Sequence, residues 1–263
     1  MRVFDFNSAI VRLPGRSVVN GLSASSGPAP TFEGVVAEHR AYIAAFLVAG
    51  VRVIELEPLE RFPDSIFVED PALVFGDTAL LLRPGAPSRR EEAEHLVPTL
   101  TALFPQVLRL QVGFADGGDV LVTPDCVLIG LSARTDREGA AALQELLASI
   151  ERKSRVVEVP AGTLHLKSDC SLIDEDTVLA TPEVAASGVL GNLNTLVVPD
   201  EERGAANALR VNDRVFLKAG CPRTTDLLEK HGANVISLPT SQIARIDAGL
   251  SCMSLRWFDP GVN

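Results

Sequence analysis

The chain has 263 residues, 46% of them apolar and only 5% aromatic, with 34 acidic against 24 basic side chains for a formal net charge of −10. That balance argues against a phosphate-backbone partner, the scarcity of rings against base-stacking platforms, and the apolar fraction against disorder. No run approaches the ~18 apolar residues of a membrane span, and the first fifteen residues, with Asp5 and Arg12 among them, lack the apolar core of a signal peptide.

Cys126, Cys170, Cys221 and Cys252 form no CxxC or compact metal-ligand grouping. In a chain long enough to build its own core they read as free thiols of a reducing compartment, so a soluble cytoplasmic protein is expected. Residues 2–12 alternate as a first strand, and 13–31, rich in Gly, Pro and Ser, form either a lid over a site or a mobile surface loop. Over 33–49, Val36, His39, Ile43, Phe46 and Leu47 recur near a 3.6-residue period and Gly50 ends the run, which predicts an amphipathic helix with His39 as an ordinary face residue.

Strands are expected at 51–56 and 66–70, then a hairpin over 71–82 turning at Gly76-Asp77. Ser88 with Glu91 predicts a capping box for a helix reaching about Leu103, and Thr135 with Glu138 predicts a second. Between them lie a strand at 107–112, the turn 116-DGGD-119, and a hairpin of 120–123 with 126–131. Further strands follow at 155–160, 177–180, 195–199, 207–211, 214–220, 234–239 and 250–257, with helices after Thr181-Pro182, over 223–231 and over 241–246.

About five strand-strand-helix-strand units result. Their marker positions Ile66, Gly117, His165, Ala206 and Cys252 stand 51, 48, 41 and 46 residues apart. Paired strands before most helices do not fit a doubly wound sheet. Five like units in one domain over 1–263 suggest cyclic closure, which hides strand edges and brings equivalent points to one axis; an open mixed sheet is the alternative.

Closure would bring Cys252 to His165 and to the acids Asp64, Glu69, Asp70 and Asp116. A thiol and an imidazole are parts for nucleophilic catalysis on an electrophilic carbon. Surplus acids beside a thiolate are a liability unless the substrate is cationic. A guanidinium resolves the conflict, because carboxylates grip its N–H fork while its charge steadies the thiolate. A zinc site from His165, Cys170 and the acids lacks the usual spacing, and Gly117-Gly118 lacks the rest of a phosphate loop, so neither a metal nor a nucleotide cofactor is expected.

The segments 62-FPDSIFVED-70, 84-PGAPSRR-90, 116-DGGDV-120, 130-GLSART-135, 164-LHLKS-168 and 247-DAGLSC-252 resemble the dimethylarginine dimethylaminohydrolases of the guanidino-group-modifying, arginine-deiminase-like superfamily. The resemblance implies an α/β fold, a five-bladed propeller (pentein) with pseudo-fivefold symmetry. It implies hydrolysis of asymmetric dimethylarginine and monomethylarginine to L-citrulline and an amine through a covalent thiouronium. By the same resemblance Cys252 is the nucleophile and His165 the acid that protonates the amine. Asp116 holds His165 and the guanidinium, while Asp70 and Glu69 line the guanidinium pocket.

It further implies that Asp64 meets the α-amino group, that Arg89 and Arg134 receive the α-carboxylate, and that Leu22 and Ile246 contribute backbone carbonyls. The partner is then a small guanidino amino acid, and the protein a homodimer. An arginine deiminase, or a hydrolase of another guanidino compound, is the alternative; arginine deiminases usually carry an extra helical domain for which this chain has no room.

Overall fold

Two strands pair antiparallel, a helix follows, and a third strand returns parallel to the second. This unit recurs around the whole computed structural model, which describes residues 2–24 and 27–262. The chain opens with β1 (Ser8–Arg12), α1 (Phe32–Val48) and β2 (Arg52–Leu56). A complete unit then runs β3 (Ala72–Phe75), β4 (Thr78–Leu81), α2 (Val97–Leu103) and β5 (Gln106–Arg109). Next come β6 (Val120–Val122), β7 (Val127–Leu131), α3 (Arg137–Ser149) and β8 (Ser154–Glu158). The fourth sheet has β9 (Cys170–Leu172), β10 (Thr177–Ala180), α4 (Pro182–Ala186) and β11 (Asn194–Val197). The fifth has β12 (Leu209–Val211), β13 (Arg214–Lys218), α5 (Pro222–Lys230) and β14 (Asn234–Leu238), and β15 (Leu255–Trp257) ends the chain.

Among the described residues these strands make five three-stranded sheets. The last strand completes the first sheet: β15 pairs antiparallel with β1, Ser8 opposite Trp257 and Ile10 opposite Leu255, while β1 pairs parallel with β2. Closure therefore joins the two ends of the chain by main-chain hydrogen bonds and leaves the repeat without a seam. The arrangement is the five-bladed α/β propeller with pseudo-fivefold symmetry expected from the sequence.

Burial follows position in the sheet. The middle strands are apolar and largely buried on both faces, as in β1, β4 and β10, whereas the outer parallel strands alternate with solvent, as in β2, β5 and β11. Helices cross from middle to outer strand, and five apolar clusters fill the spaces they cover. The first strands β3, β6, β9, β12 and β15 all line one axial cavity of about 210 Å³.

Local chemistry explains where elements begin. Thr31 Oγ1 accepts from Gly34 N at 3.1 Å to cap α1, which packs Tyr42 and Phe46 edge-on against each other and against Phe216 of β13. His39 is buried on this helix, where burial lowers its pKa to about 4 and keeps it neutral, in agreement with a face residue. Gly76 has a φ of +60° in the hairpin between β3 and β4, a conformation costly to a residue with a Cβ.

Several expectations need correction. Residues 66–70 form turns, not a strand, because Asp70 O accepts from Gly117 N at 2.9 Å and the segment folds toward the axis. Ser88 caps nothing: Pro87–Arg89 and Glu92–Leu96 are 3-10 turns, and α-helix starts only at Val97. Glu92 is turned inward to Arg89, and Pro98 can donate no helical hydrogen bond. The cap of α3 is Asp136, whose Oδ1 accepts from Gly139 N at 2.7 Å; Thr135 instead donates to Asp119. The first strand is shorter than expected, β9 was missed, and 241–246 is a 3-10 turn over Ile243–Ile246. The 13–31 stretch contains a 3-10 turn at Arg16–Asn20, and the part of the expected lid at 25 and 26 lies outside the described residues.

Tyr42 ties the first helix to the closing unit, donating to Leu250 O at 2.7 Å and meeting Ser254 Oγ at 2.6 Å. Tyr42→Phe strands that buried carbonyl and is expected to cost about 1–3 kcal/mol of unfolding free energy in a urea titration; a change within experimental error would contradict the proposed tie.

Candidate active site

Each unit delivers a turn to one end of the axis just before its innermost strand. The turns are 63–70, Gly117–Asp119, Leu166–Ser168, Asp200–Ala206 and Ser251–Met253. Their register brings Cys252, His165, Asp70 and Asp64 to a single cleft, together with Arg89, Arg134, Leu22 and Ile246. Eight of the ten site residues expected from sequence thus share one lining. Asp116 lies directly beneath, with no solvent exposure, and Glu69 faces the other way.

The imidazole is held from two sides. Asp116 Oδ2 lies 3.0 Å from His165 Nε2, and its Oδ1 accepts from Gly85 N at 2.8 Å. Gly118 is obligatory behind the ring, since a Cβ there would stand 2.8 Å from Cγ and Nδ1 of His165. Asp119 supports the turn from below, accepting from Leu166 N at 2.9 Å, Thr135 Oγ1 at 2.7 Å and Ser132 Oγ at 2.6 Å. Burial opposes an imidazolium at this position. The Asp116 hydrogen bond and the charges of Asp70 and Asp119 outweigh it and raise the His165 pKa to about 9, so His165 is protonated at neutral pH.

The thiol has the opposite bias. Burial of the sulfur, with Asp70 and Glu69 nearby, pushes the Cys252 pKa up to about 11, so the resting group is a thiol although its residue keeps partial access to the cleft. Its main chain is fixed by Glu69 N, which donates to Cys252 O at 3.1 Å. Asn207 Nδ2 approaches Sγ at 3.8 Å.

Most of the buried charges at the cleft are paired within the protein. Arg89 bonds Asp70 Oδ2 through Nη1 at 2.5 Å, Glu92 through Nε and Nη2 at 2.9 and 2.6 Å, and Phe67 O at 3.0 Å. Burial works against the Asp70 anion, but Arg89 and His165 hold its pKa below the usual carboxylate range. Asp64, in contrast, is raised by burial, and its Oδ1 accepts from Leu22 N at 2.9 Å. Arg89 is therefore largely committed within the protein. Among the described residues Arg134 has no ion pair, and its guanidinium is the cation open to a carboxylate at the cleft.

Glu69 joins Lys167 at 2.7 Å and Arg256 at 2.5 Å, and all three line the axial cavity, forming a charged partition between it and the cleft. Asp70, Asp116 and His165 bring ligand-type atoms within 4.8 Å of one another. Asp70 Oδ2 is already taken by Arg89, and both Asp116 oxygens have partners, so the trio holds the imidazolium and does not offer a free ligand set to a metal ion. Cys170 is remote from it, its Sγ donating to Leu166 O in the core.

Residues 54–219 match the arginine deiminase family profile. A dimethylarginine dimethylaminohydrolase of Pseudomonas aeruginosa is 39% identical over 254 residues, covering 96% of this chain and all of that one. The chain belongs to the dimethylarginine dimethylaminohydrolase family. Its Streptomyces coelicolor member is 32% identical across 94% of this chain and 96% of its own length. A cysteine-to-serine mutant of the Pseudomonas member in complex with citrulline superimposes with a TM-score of 0.93 at 38% identity, covering 97% of this chain and 100% of that one.

Asn207, Glu92, Lys167 and Arg256 carry no functional role in the sequence reading, and Asp119 enters it only as an acid of the turn 116-DGGD-119. Lys167 and Asp119 stand within segments that carry the family resemblance, and Asn207 directly follows the fourth repeat marker; Glu92 and Arg256 offer no comparable signal. Asp116→Asn weakens the acceptor at His165 and is expected to lower the imidazole midpoint from about 9 toward its ordinary 6.5, read from ring-proton NMR shifts against pH. An unmoved midpoint would contradict Asp116 as the dominant partner.

Proposed function

We infer that this protein hydrolyses N-omega-methylated arginines, asymmetric dimethylarginine and monomethylarginine, to L-citrulline and dimethylamine or methylamine. The observation that carries this reading is the meeting of a buried thiol and a protonated imidazole in a cleft that also presents the carboxylates of Asp64 and Asp70 and the guanidinium of Arg134. The positive groups nearest the reacting end are committed elsewhere, His165 to Asp116 and Arg89 to Asp70 and Glu92, so the thiol needs a further positive charge to ionise. A guanidinium supplies that charge. The amino acid end is met by Asp64 and the Leu22 and Ile246 backbone at its ammonium, and by Arg134 at its carboxylate, a bidentate task suited to arginine. Arg89 acts mainly by holding Asp70 in place.

When the guanidinium lies against Asp70 and the Cys252 sulfur, the thiol proton is lost to solvent and the sulfur pair attacks the central carbon. The carbon–nitrogen bond to the methylated nitrogen then breaks, and His165 gives its proton to the departing amine, leaving a thiouronium on Cys252. Neutral His165 next takes a proton from water as the water oxygen adds to the same carbon. The carbon–sulfur bond breaks, its pair returns to sulfur, the added hydroxyl gives up its remaining proton to solvent, and the neutral ureido group of citrulline is released. Asp116 keeps Nε2 aligned through both proton transfers. Glu69, although named by the family pattern as a pocket acid, supports this from behind by fixing the Cys252 backbone and neutralising Lys167 and Arg256.

The matched profile bears the name of arginine deiminase, so unmodified arginine is the competing substrate. Discrimination rests on two methyl groups, worth only ~1–3 kcal/mol each. The reading treats the chain as one catalytic domain. It also includes a cytoplasmic setting, supported by free cysteines among the described residues, and a homodimer, in keeping with the family.

Parallel assays of dimethylamine from dimethylarginine and ammonia from arginine decide the substrate; faster ammonia release would overturn the main reading. Cys252→Ser is expected to reduce citrulline formation by ~10³-fold or more while substrate still binds, as measured by calorimetry. Retained turnover would remove Cys252 from the mechanism.

A further inference from the structure

The fourth unit is the one whose axial turn has no role in the chemistry above, and its next residue is Asn207. The Asn207 side chain is buried, 7% exposed, and lies against the segment that carries the nucleophile. Its Oδ1 accepts from Ser251 N at 3.0 Å. That bond fixes which end of the amide faces which way, because only an oxygen can accept there. Nδ2 is consequently the end turned to Cys252 Sγ, at 3.8 Å. Gly249 makes room for the amide: a Cβ at that position would come within 2.4–2.6 Å of its three polar-group atoms.

We propose that Asn207 is a further catalytic residue, an N–H donor to the Cys252 sulfur that favours the thiolate both when it attacks and when it is expelled. This rests on Cys252 being the nucleophile. The Gly249 main-chain N–H already favours the anion, and the other groups around the sulfur make a second neutral donor valuable. Asp70 and Glu69 from the first turn disfavour a thiolate, Lys167 from the third favours it but is paired to Glu69, and Tyr42 from α1 is bonded to Leu250 and Ser254. His165 carries a positive charge that is balanced by Asp116. Ser251 Oγ is farther from the sulfur than Nδ2, at 4.0 Å. An amide donates at every pH and adds no charge to repel the incoming guanidinium. Its hydrogen bond strengthens when the sulfur becomes an anion. It weakens while the sulfur pair is committed to carbon in the thiouronium and recovers when the carbon–sulfur bond breaks.

The decisive comparison is Asn207→Asp with Asn207→Ala, read by the pH dependence of Cys252 alkylation with iodoacetamide, followed on the Cys252 peptide by mass spectrometry. That readout requires no turnover, so its result is separate from whether methylarginine is the substrate. Asn207→Asp keeps the shape and the acceptor for Ser251 N but puts an oxygen against the sulfur. The expected result is an alkylation midpoint about one pH unit or more above wild type in Asn207→Asp and a smaller rise in Asn207→Ala, with kcat falling about ten-fold or more in Asn207→Asp. Asn207→Ser, with a short hydroxyl donor, recovers part of the shift and serves in place of Asn207→Asp should thermal melting show that variant unfolded. A purely structural role predicts the reverse order, with Asn207→Asp like wild type and Asn207→Ala impaired. A wild-type alkylation profile in Asn207→Asp, or no recovery in Asn207→Ser should Asn207→Asp not fold, would overturn the proposal.

Discussion

The Arg89 guanidinium cancels charge on both of its sides, Asp70 toward the cleft and Glu92 away from it, with all three side chains almost fully buried. An isolated carboxylate at the position of Asp70 would lose its ionisation rather than remain charged away from water. Paired as it is, Asp70 stays anionic, and its charge then reaches His165 and Cys252. It helps to raise the imidazole and also raises the thiol. One buried ion group therefore acts on both reactive side chains, adding to the Asp116 hydrogen bond at the imidazole and to burial at the sulfur, in the direction that waits for a cation. Removing Arg89 or Glu92 alone would leave an uncompensated buried charge, the costliest way to disturb such a group.

Everything else positions this charge arrangement. The closing pairing of β15 with β1 brings Cys252, near the end of the chain, beside Asp70 of the first complete unit, and the Glu69 N to Cys252 O hydrogen bond locks the two turns together. The glycines at 117 and 118 let the second turn approach the first, a Cβ on Gly117 being only 2.0 Å from Glu69 O. The axis is then divided. On one side lies the cleft, and on the other the cavity ringed by the innermost strands, with Glu69, Lys167 and Arg256 between them.

The repeat was legible because each unit carries its own strand periodicity and turn residues, and because the spacing between markers stays between 41 and 51 residues. Cys252, His165 and Asp70 were legible as reactive types at equivalent points of that repeat. Orientation was not. Glu69 and Asp70 are neighbours in sequence, and a turn where a strand had been expected points one to the rear cavity and the other to the cleft. The Ser88 capping box failed for a related reason: local capping is worth about 1 kcal/mol, less than the demand of buried Arg89 for Glu92. Asn207 was passed over because an amide has no titratable signature and its meaning depends wholly on the atom it faces.

The central claim is that the thiolate is made by the substrate's charge and is not present beforehand. Thiolate absorbance in the ultraviolet, followed against pH with and without saturating L-lysine, tests it directly, since lysine brings a cationic side chain but no carbon for the sulfur to attack. The account predicts a Cys252 midpoint near 11 in the free protein and a fall of more than about one unit with lysine bound. A thiolate already formed at neutral pH without ligand, or a midpoint unmoved by bound lysine, would contradict it.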